Sequence, residues 1–248
     1  MTFVLHINVN EISYEAATGQ IQAWAVAHES RTVYATSVHG VMEAQDTPEF
    51  KEVLNRADLI TPDGMPLVWM LRLKGVKNQA RVYGPTLMLH VLEMAARQNI
   101  SVGFYGGEPA TRELLFERMK VAYPHLRVGY SFSPPFRDLS DEETARIRDE
   151  INRSGVRILF VGLGCPRQEQ WIDAQRGKIQ AVMLGVGAAF DFHAGLKPQA
   201  PAWMQRLGLE WLFRLSTEPR RLWKRYLYHN PRFIVLAIAD LLGMLKVE

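Results

Sequence analysis

Asp63 stands between a proline and a glycine in Leu59-Ile60-Thr61-Pro62-Asp63-Gly64-Met65-Pro66-Leu67. A carboxylate beside a glycine, where a second molecule can come close to the backbone, is suited to take a proton as a general base. In the competing reading Asp63 caps the helix that follows and Gly64 only makes the turn. A second group is Gly164-Cys165-Pro166-Arg167-Gln168-Glu169-Gln170-Trp171. Pro166 starts a helix with free N–H groups, and Arg167 and Gln168 add donors in its first turn, an arrangement suited to phosphate or sugar hydroxyls. An ordinary solvated helix start, with Glu169 favouring the dipole, explains the same residues. The third group, Phe190-Asp191-Phe192-His193-Ala194-Gly195, sets an acid and an imidazole beside two aromatics. Asp191 and His193 point the same way on a strand and opposite ways on a helix. No second His or acid completes a metal site by spacing there, so no bound zinc is expected.

Other chemistries lack their residues. Gly162-Leu163-Gly164 and Gly185-Val186-Gly187 both follow strands, but Arg167 and Phe190 stand where a dinucleotide fingerprint needs its third glycine. No Gly-Lys-Ser/Thr marks a P-loop. There is also no Asp-x-Asp, the spacing that often holds Mg²⁺ or Mn²⁺ against a leaving diphosphate. Arginines must neutralise such a leaving group here, and no cofactor is expected.

These groups need elements to hold them. Leu59 and Ile60 run as a strand into Thr-Pro-Asp-Gly, and Met65 to Lys74 has helical character, so Asp63 is placed at a strand-to-helix junction. Before it, Phe3 to Val9 reads as a first strand, Ser13 to His28 as helix, Arg31 to Thr36 as a strand and Pro48 to Arg56 as a short helix. After it, Arg81 to Tyr83 reads as a short strand, with Pro85 at the first position of a helix to about Asn99. The alternation then becomes regular: strands over 101–105, 126–132, 156–161 and 180–184, and helices over 110–123, 140–154 and 167–175. Ser140 to Glu143 has capping-box spacing. Such alternation predicts a Rossmann-like α/β fold, a mostly parallel sheet with helices on both faces. Three strands end in glycine turns, and the carboxyl edge of such sheets carries the ligand. Thr36, Asp63 and Arg81 are thereby expected on one edge.

At 248 residues and 48% apolar, the chain can bury one sizeable core. The single Cys165 excludes an internal disulfide framework and a cysteine zinc site, which suits a reducing cytoplasm. No signal peptide is expected at the N-terminus. Trp203 to Glu248 carries eight Lys/Arg against four acids, a surplus of four, and since the whole chain is +3 the part before Trp203 is −1. Aromatic residues interleave with these bases over 207–232, and 233–245 is apolar except for Asp240. That last run is too short to span a bilayer, though it could lie on one. The expected division is an α/β catalytic domain over 1–202 and a helical appendage over 203–248 within the same structural unit. A nicotinamide-dependent oxidoreductase and a non-catalytic nucleotide-sugar or nucleic-acid-binding protein stand as alternatives.

Taken in order, Thr61-Pro62-Asp63-Gly64-Met65-Pro66, Arg81-Val82-Tyr83-Gly84, Phe104-Tyr105-Gly106-Gly107, Gly162-Leu163-Gly164 with Pro166 and Gln168-Glu169, Gly187 with Phe190-Asp191, Ala200-Pro201 with Trp203, and Gly208-Leu209-Glu210-Trp211 with Arg214 resemble the WecG/TagA/CpsF glycosyltransferase family. The resemblance spans nearly the whole chain. It implies a bacterial, inverting, metal-independent transferase without a cofactor. Such an enzyme moves a sugar from a UDP-sugar, such as UDP-ManNAc, UDP-ManNAcA or UDP-glucose, to a polyprenyl-diphosphate-linked sugar in cell-surface polysaccharide synthesis. It implies Asp63 as the base, with Gly64 beside it, and Thr36, Arg81 and Gln168 as substrate-pocket residues. Asp191 falls by the nucleotide, and Arg214 and Arg221 are the candidates for the diphosphate. The appendage is implied to close over the site and touch the cytoplasmic face of the cell membrane. A homo-oligomer stays open, and no nucleic acid is expected as a partner. Ser37-Val38 stands where the family often has Pro-Asn, so a polar contact there is lost or moves to His39. Pro85-Thr86 replaces a usual acid, and Gln199 replaces a frequent Arg.

Overall fold

Phe3 to Val9 does not run as one strand. In the computed structural model, which describes residues 2–245, Leu5 and His6 take left-handed φ values of 49° and 63°. They turn the segment into a hairpin of β1 (Thr2–Val4) and β2 (Ile7–Val9), paired antiparallel as a sheet of its own. Left-handed backbone costs a residue with a Cβ about 1–2 kcal/mol. Side chains from elsewhere hold the turn: Gln45 Nε2 donates to the Leu5 carbonyl at 2.8 Å and Asn55 Nδ2 to that of His6 at 3.0 Å. Lys246 and Glu248, counted in the tail's charge, lie outside the described residues.

The next elements largely follow the periodicity: α1 (Tyr14–Val26), β3 (Arg31–Thr36), α2 (Val38–Asp46), α3 (Pro48–Asn55), β4 (Leu59–Pro62) and α4 (Met65–Leu73). The strand expected at Arg81 to Tyr83 does not form. Val82 N–H donates to the Pro62 carbonyl at 3.1 Å and Thr61 Oγ1 to the Val82 carbonyl at 3.2 Å, but α5 (Gly84–Arg97) begins before a ladder can extend. Pro85 sits in its first turn, where a missing N–H costs no helix bond.

Beyond it come β5 (Val102–Gly106), α6 (Pro109–Ala122), β6 (Val128–Phe132), α7 (Asp141–Arg153), β7 (Ile158–Gly162), α8 (Arg167–Ala174), β8 (Val182–Gly185) and α9 (Ala189–His193). The tail forms α10 (Ala202–Arg206), α11 (Glu210–Thr217) and α12 (Pro219–Leu241). The main sheet has the order β4-β3-β8-β7-β5-β6, and the ladders β3–β8, β8–β7, β7–β5 and β5–β6 are parallel. The fold is therefore the expected α/β type, a mostly parallel sheet flanked by helices with a C-terminal helical region.

Strands covered on both faces have no solvated side, so they read as continuous apolar runs rather than as alternation. Ile158, Leu159, Phe160 and Val161 of β7 are all fully buried, as are Val182 and Met183 of β8. Edge strand β6, by contrast, leaves Val128 exposed. By its contacts the chain groups into two compact units. One holds the residues up to Ser13, Ala35–Tyr83 and those from Pro198 on; the other holds Tyr14–Tyr34 and Gly84–Lys197.

The capping box at α7 forms as its spacing predicts. Ser140 Oγ accepts from Glu143 N–H at 3.2 Å, and the Glu143 carboxylate accepts from Ser140 N–H at 2.9 Å. Arg137 grips the same carboxylate with both terminal nitrogens at 2.7 Å. That hydrogen-bonded guanidinium, with the Ser140 amide second, holds the Glu143 carboxyl down at about 2. A depressed carboxylate adds stability above its unfolded value and loses it as pH falls through its folded one. The advantage of the wild type over Arg137→Ala should thus be present at pH 6 and vanish towards pH 2, and carboxyl NMR should show the Glu143 midpoint rising in the variant.

Candidate functional site

Asp63 immediately follows β4 and precedes α4. Pro62 fixes the chain direction there, and Asp63 N–H donates to the Thr36 carbonyl at the end of β3 at 2.9 Å, so Thr36 and Asp63 are joined through the backbone. The N-cap of α4 is Gly64, and its first turn has no side-chain cap, so Asp63 is not spent on capping. Gly64 takes an extended conformation, and a Cβ there would meet Ser37 at an ordinary 3.5 Å. Its place beside Asp63 is therefore a matter of space rather than of unusual backbone.

The Asp63 carboxylate faces Arg81. Arg81 Nη2 lies 3.1 Å from Asp63 Oδ1 and 2.7 Å from Glu210 Oε2, and its Nε donates to the Asp63 carbonyl. All three side chains are only about one-seventh exposed. The guanidinium carbon sits 4.0 Å over the Tyr83 ring, whose hydroxyl donates to Glu210 Oε1 at 3.1 Å. Burial works against the charge of Arg81, but the Asp63 and Glu210 carboxylates outweigh it and hold its pKa above the usual range. Tyr83 is pushed up chiefly by burial and then by the same two carboxylates, so it remains a neutral hydroxyl donor. Two carboxylates thus share one guanidinium, and Asp63 is the member at a strand end.

Glu210 and Tyr83 are the residues that sequence reasoning missed. An acid at the first position of a helix reads as a dipole partner, and nothing in its spacing points to Arg81. Two residues before Glu210, Gly208 stands at φ 71°, where a Cβ would lie 2.7 Å from the Trp69 ring of α4, so the chain passes close to α4 on its way into α11, whose N-cap is Leu209. The arginines expected at a diphosphate occupy the next turns. Arg214 is close enough for its charge to act on Tyr83 and on Tyr226. Arg221, half exposed, pairs with Glu218 at 2.6 Å.

The second unit holds Gln168 and Asp191, and each has work there. Gln168 is buried in α8; its Oε1 accepts from Gly187 N–H at 3.0 Å, its Nε2 donates to Glu169 at 2.8 Å, and its side chain lies over the face of Gly185. It therefore shapes the turn after β8. Glu169 does not face solvent at the helix start, as a dipole partner would; it is buried, and burial pushes its carboxyl up. Asp191 and His193 fall on a short helix and separate: Asp191 pairs with Lys197 at 2.7 Å, and His193 Nε2 meets the Pro85 carbonyl at 2.8 Å. The glycine turns are partly spent on packing. A Cβ on Gly162 would stand 2.7 Å from the Phe190 ring, and one on Gly106 the same distance from the Gly162 carbonyl.

In the first unit, α12 turns Leu222, His229, Phe233 and Ala237 inward. Asp240, the acid inside the apolar run, is also turned inward, accepting from Lys74 at 2.7 Å and from Leu5 N–H at 3.0 Å. The other side leaves Leu227, Ile234, Val235, Ile238 and Leu242 more than half exposed, with Arg220, Arg221 and Lys224 exposed near the helix start. No helix among the described residues is long and apolar enough to cross a membrane.

Comparison with known proteins agrees with the family resemblance carried by the sequence motifs. The model of the glycosyl transferase WecG/TagA/CpsF family matches residues 2–246. An N-acetylglucosaminyldiphosphoundecaprenol N-acetyl-beta-D-mannosaminyltransferase of Bacillus spizizenii is 35% identical over 198 residues, covering 79% of this chain and 74% of its own length. A protein of the same name from Bacillus subtilis is 32% identical over 181 residues, covering 72% of this chain and 68% of its own.

Removing the shared cation leaves two carboxylates facing each other in a half-dry site. Loss of one partner from a buried pair costs about 3–5 kcal/mol, so Arg81→Met should lose about that much in denaturant unfolding. Arg81→Lys keeps the charge but not the fork, and should fall between the two. Gly208→Ala should cost about 1–2 kcal/mol for its backbone alone, and it should weaken the coupling between Arg81 and Glu210 in a double-mutant cycle.

Proposed function

The chain belongs to the WecG/TagA/CpsF family of glycosyl transferases, and we propose that it moves a sugar from a UDP-sugar to a sugar joined by diphosphate to a polyprenol. The observation that carries the reading is the Asp63 carboxylate, held at the end of β4 by an arginine that Glu210 clamps from the other side. The acceptor class follows the names of the two Bacillus relatives, which act on an undecaprenol-diphosphate sugar. By the same token UDP-ManNAc is the first donor to test, with UDP-ManNAcA and UDP-glucose beside it.

In the proposed step Asp63 takes the proton from the acceptor hydroxyl as that oxygen attacks the anomeric carbon. The bond from that carbon to the UDP oxygen breaks, and its electron pair leaves with the diphosphate. Attack from the face opposite the leaving group inverts the anomeric centre. Arg214 and Arg221 receive the diphosphate charge, Arg221 by exchanging Glu218 for phosphate, so the guanidiniums take the part that a metal ion would play at the leaving group. Arg81 keeps Asp63 aimed, and Thr36 and Gly64 frame it. Gln168 and Asp191 are assigned to the donor, Gln168 acting through the Gly187 turn. Residues 1–202 supply the catalytic part, and 203–248 form the appendage that meets the inner face of the cell membrane.

The test is UDP release from the three donors, with a polyprenyl-diphosphate GlcNAc acceptor and no added divalent cation. A positioned base contributes about 10²–10⁴-fold, so Asp63→Asn should fold normally and lose that much acceptor-dependent release. Equal release by both proteins would remove Asp63 as the base. For the tail, an apolar face flanked by bases binds anionic lipid surfaces reversibly, and salt weakens it. The full chain should therefore sediment with phosphatidylglycerol vesicles, less so as salt rises, and a variant carrying Leu227→Glu, Ile234→Glu and Ile238→Glu should stay in the supernatant. Unchanged sedimentation of that variant would place the membrane contact elsewhere.

A further inference from the structure

The first unit holds a second cluster of titratable side chains, on α2 and α12. His39 and Glu43 are one turn apart on α2, so their side chains share a face. Helix α12 packs on that face and brings His229 to it. Glu43 Oε1 is 3.5 Å from His39 Nδ1 and 3.3 Å from His229 Nε2, and one donor atom from each of the three residues lies within 4.8 Å of the others. We propose that His39, Glu43 and His229 bind a divalent transition-metal ion of the zinc class, which pins α12 to α2.

The chemistry of the set favours an ion. Two imidazoles and one carboxylate make up a common three-residue zinc donor set, with a fourth position left for solvent. Zinc bonds of about 2.0–2.1 Å in tetrahedral geometry put neighbouring donor atoms about 3.3–3.4 Å apart. The two nitrogen-to-oxygen separations match that edge. They are longer than charge-assisted N–H···O bonds, which run about 2.7–2.9 Å. His229 is buried, with only 6% of its surface exposed, so its ring is held in place against α2. Arg232, one turn further along α12, is already committed to Asp46, to which its Nη1 donates at 2.8 Å. The Glu43 side chain remains 29% exposed, which gives an ion a path from solvent. No spacing in the sequence marks this set, because His229 on α12 meets His39 and Glu43 on α2 only through the fold.

The untagged full-length chain, stripped of metal and dialysed, is titrated with Co²⁺ and then with Zn²⁺. One equivalent of Co²⁺ should develop the visible d–d absorption of a four-coordinate ion, and Zn²⁺ should displace it. Zn²⁺ should also raise the melting temperature of the wild type, because an ion that binds only the folded chain stabilises it by mass action. Glu43→Gln and His39→Gln should each weaken Co²⁺ binding by more than the roughly 10–100-fold that loss of a supporting contact costs, and should remove the Zn²⁺-dependent rise in melting temperature. His229→Gln gives the same result where it folds, as judged by circular dichroism. Failure of the wild type to bind Co²⁺, or undiminished binding by Glu43→Gln and His39→Gln, would overturn the proposal. Neither readout depends on glycosyl transfer, so the site stands or falls separately from the assignment of Asp63.

Discussion

One guanidinium holds the site together. Arg81 sits between the Asp63 and Glu210 carboxylates with the Tyr83 ring beneath it, and it also donates to the Asp63 backbone. Without it, the end of β4 and the start of α11 would present like charges to each other in a region from which water is largely excluded, where repulsion is poorly screened. With it, a carboxylate at a strand terminus is paired and oriented. Glu210, at the first position of α11, comes within reach of that one cation.

The regular part of the fold was legible because its strands are buried on both faces and its turns carry glycine and proline; β3, β5, β7 and β8 fall within two residues of their expected limits. The capping box of α7 was readable for a similar reason, since all its partners lie within four positions. What failed was local pattern overruled by distant contacts. Phe3 to Val9 has strand composition, yet Gln45 and Asn55 hold a turn in its middle. Arg81 to Tyr83 also has strand composition, but Arg81 serves Asp63 and Glu210, and the helix after it starts too soon. Asp63 was found from its turn. Its partner Glu210 was not, because no periodicity joins a residue in a basic tail to one in a strand-end loop.

The glycines illustrate how one residue type answers to different demands. Before the structure, the turns at 106–107, 162–164 and 185–187 all suggested room for a ligand. Gly162 and Gly106 instead yield their space to the Phe190 ring and to a neighbouring backbone, and Gly185 to Gln168. Close packing accounts for them without any bound molecule. Gly208 differs again, since it needs both its left-handed backbone and the absence of a side chain against Trp69.

Asp240 deserves its place in an apolar stretch for a reason that reaches the other end of the chain. Its carboxylate accepts from Lys74 and from the backbone of Leu5, in the turn of the first hairpin. Helix α12 therefore cannot roll about its axis without stripping a buried amide and an ammonium of their shared acceptor, and its inner and outer faces are fixed as a pair. One carboxylate thus ties the last helix to both α4 and the first hairpin, so the orientation of the outer face depends on residues at the start of the chain.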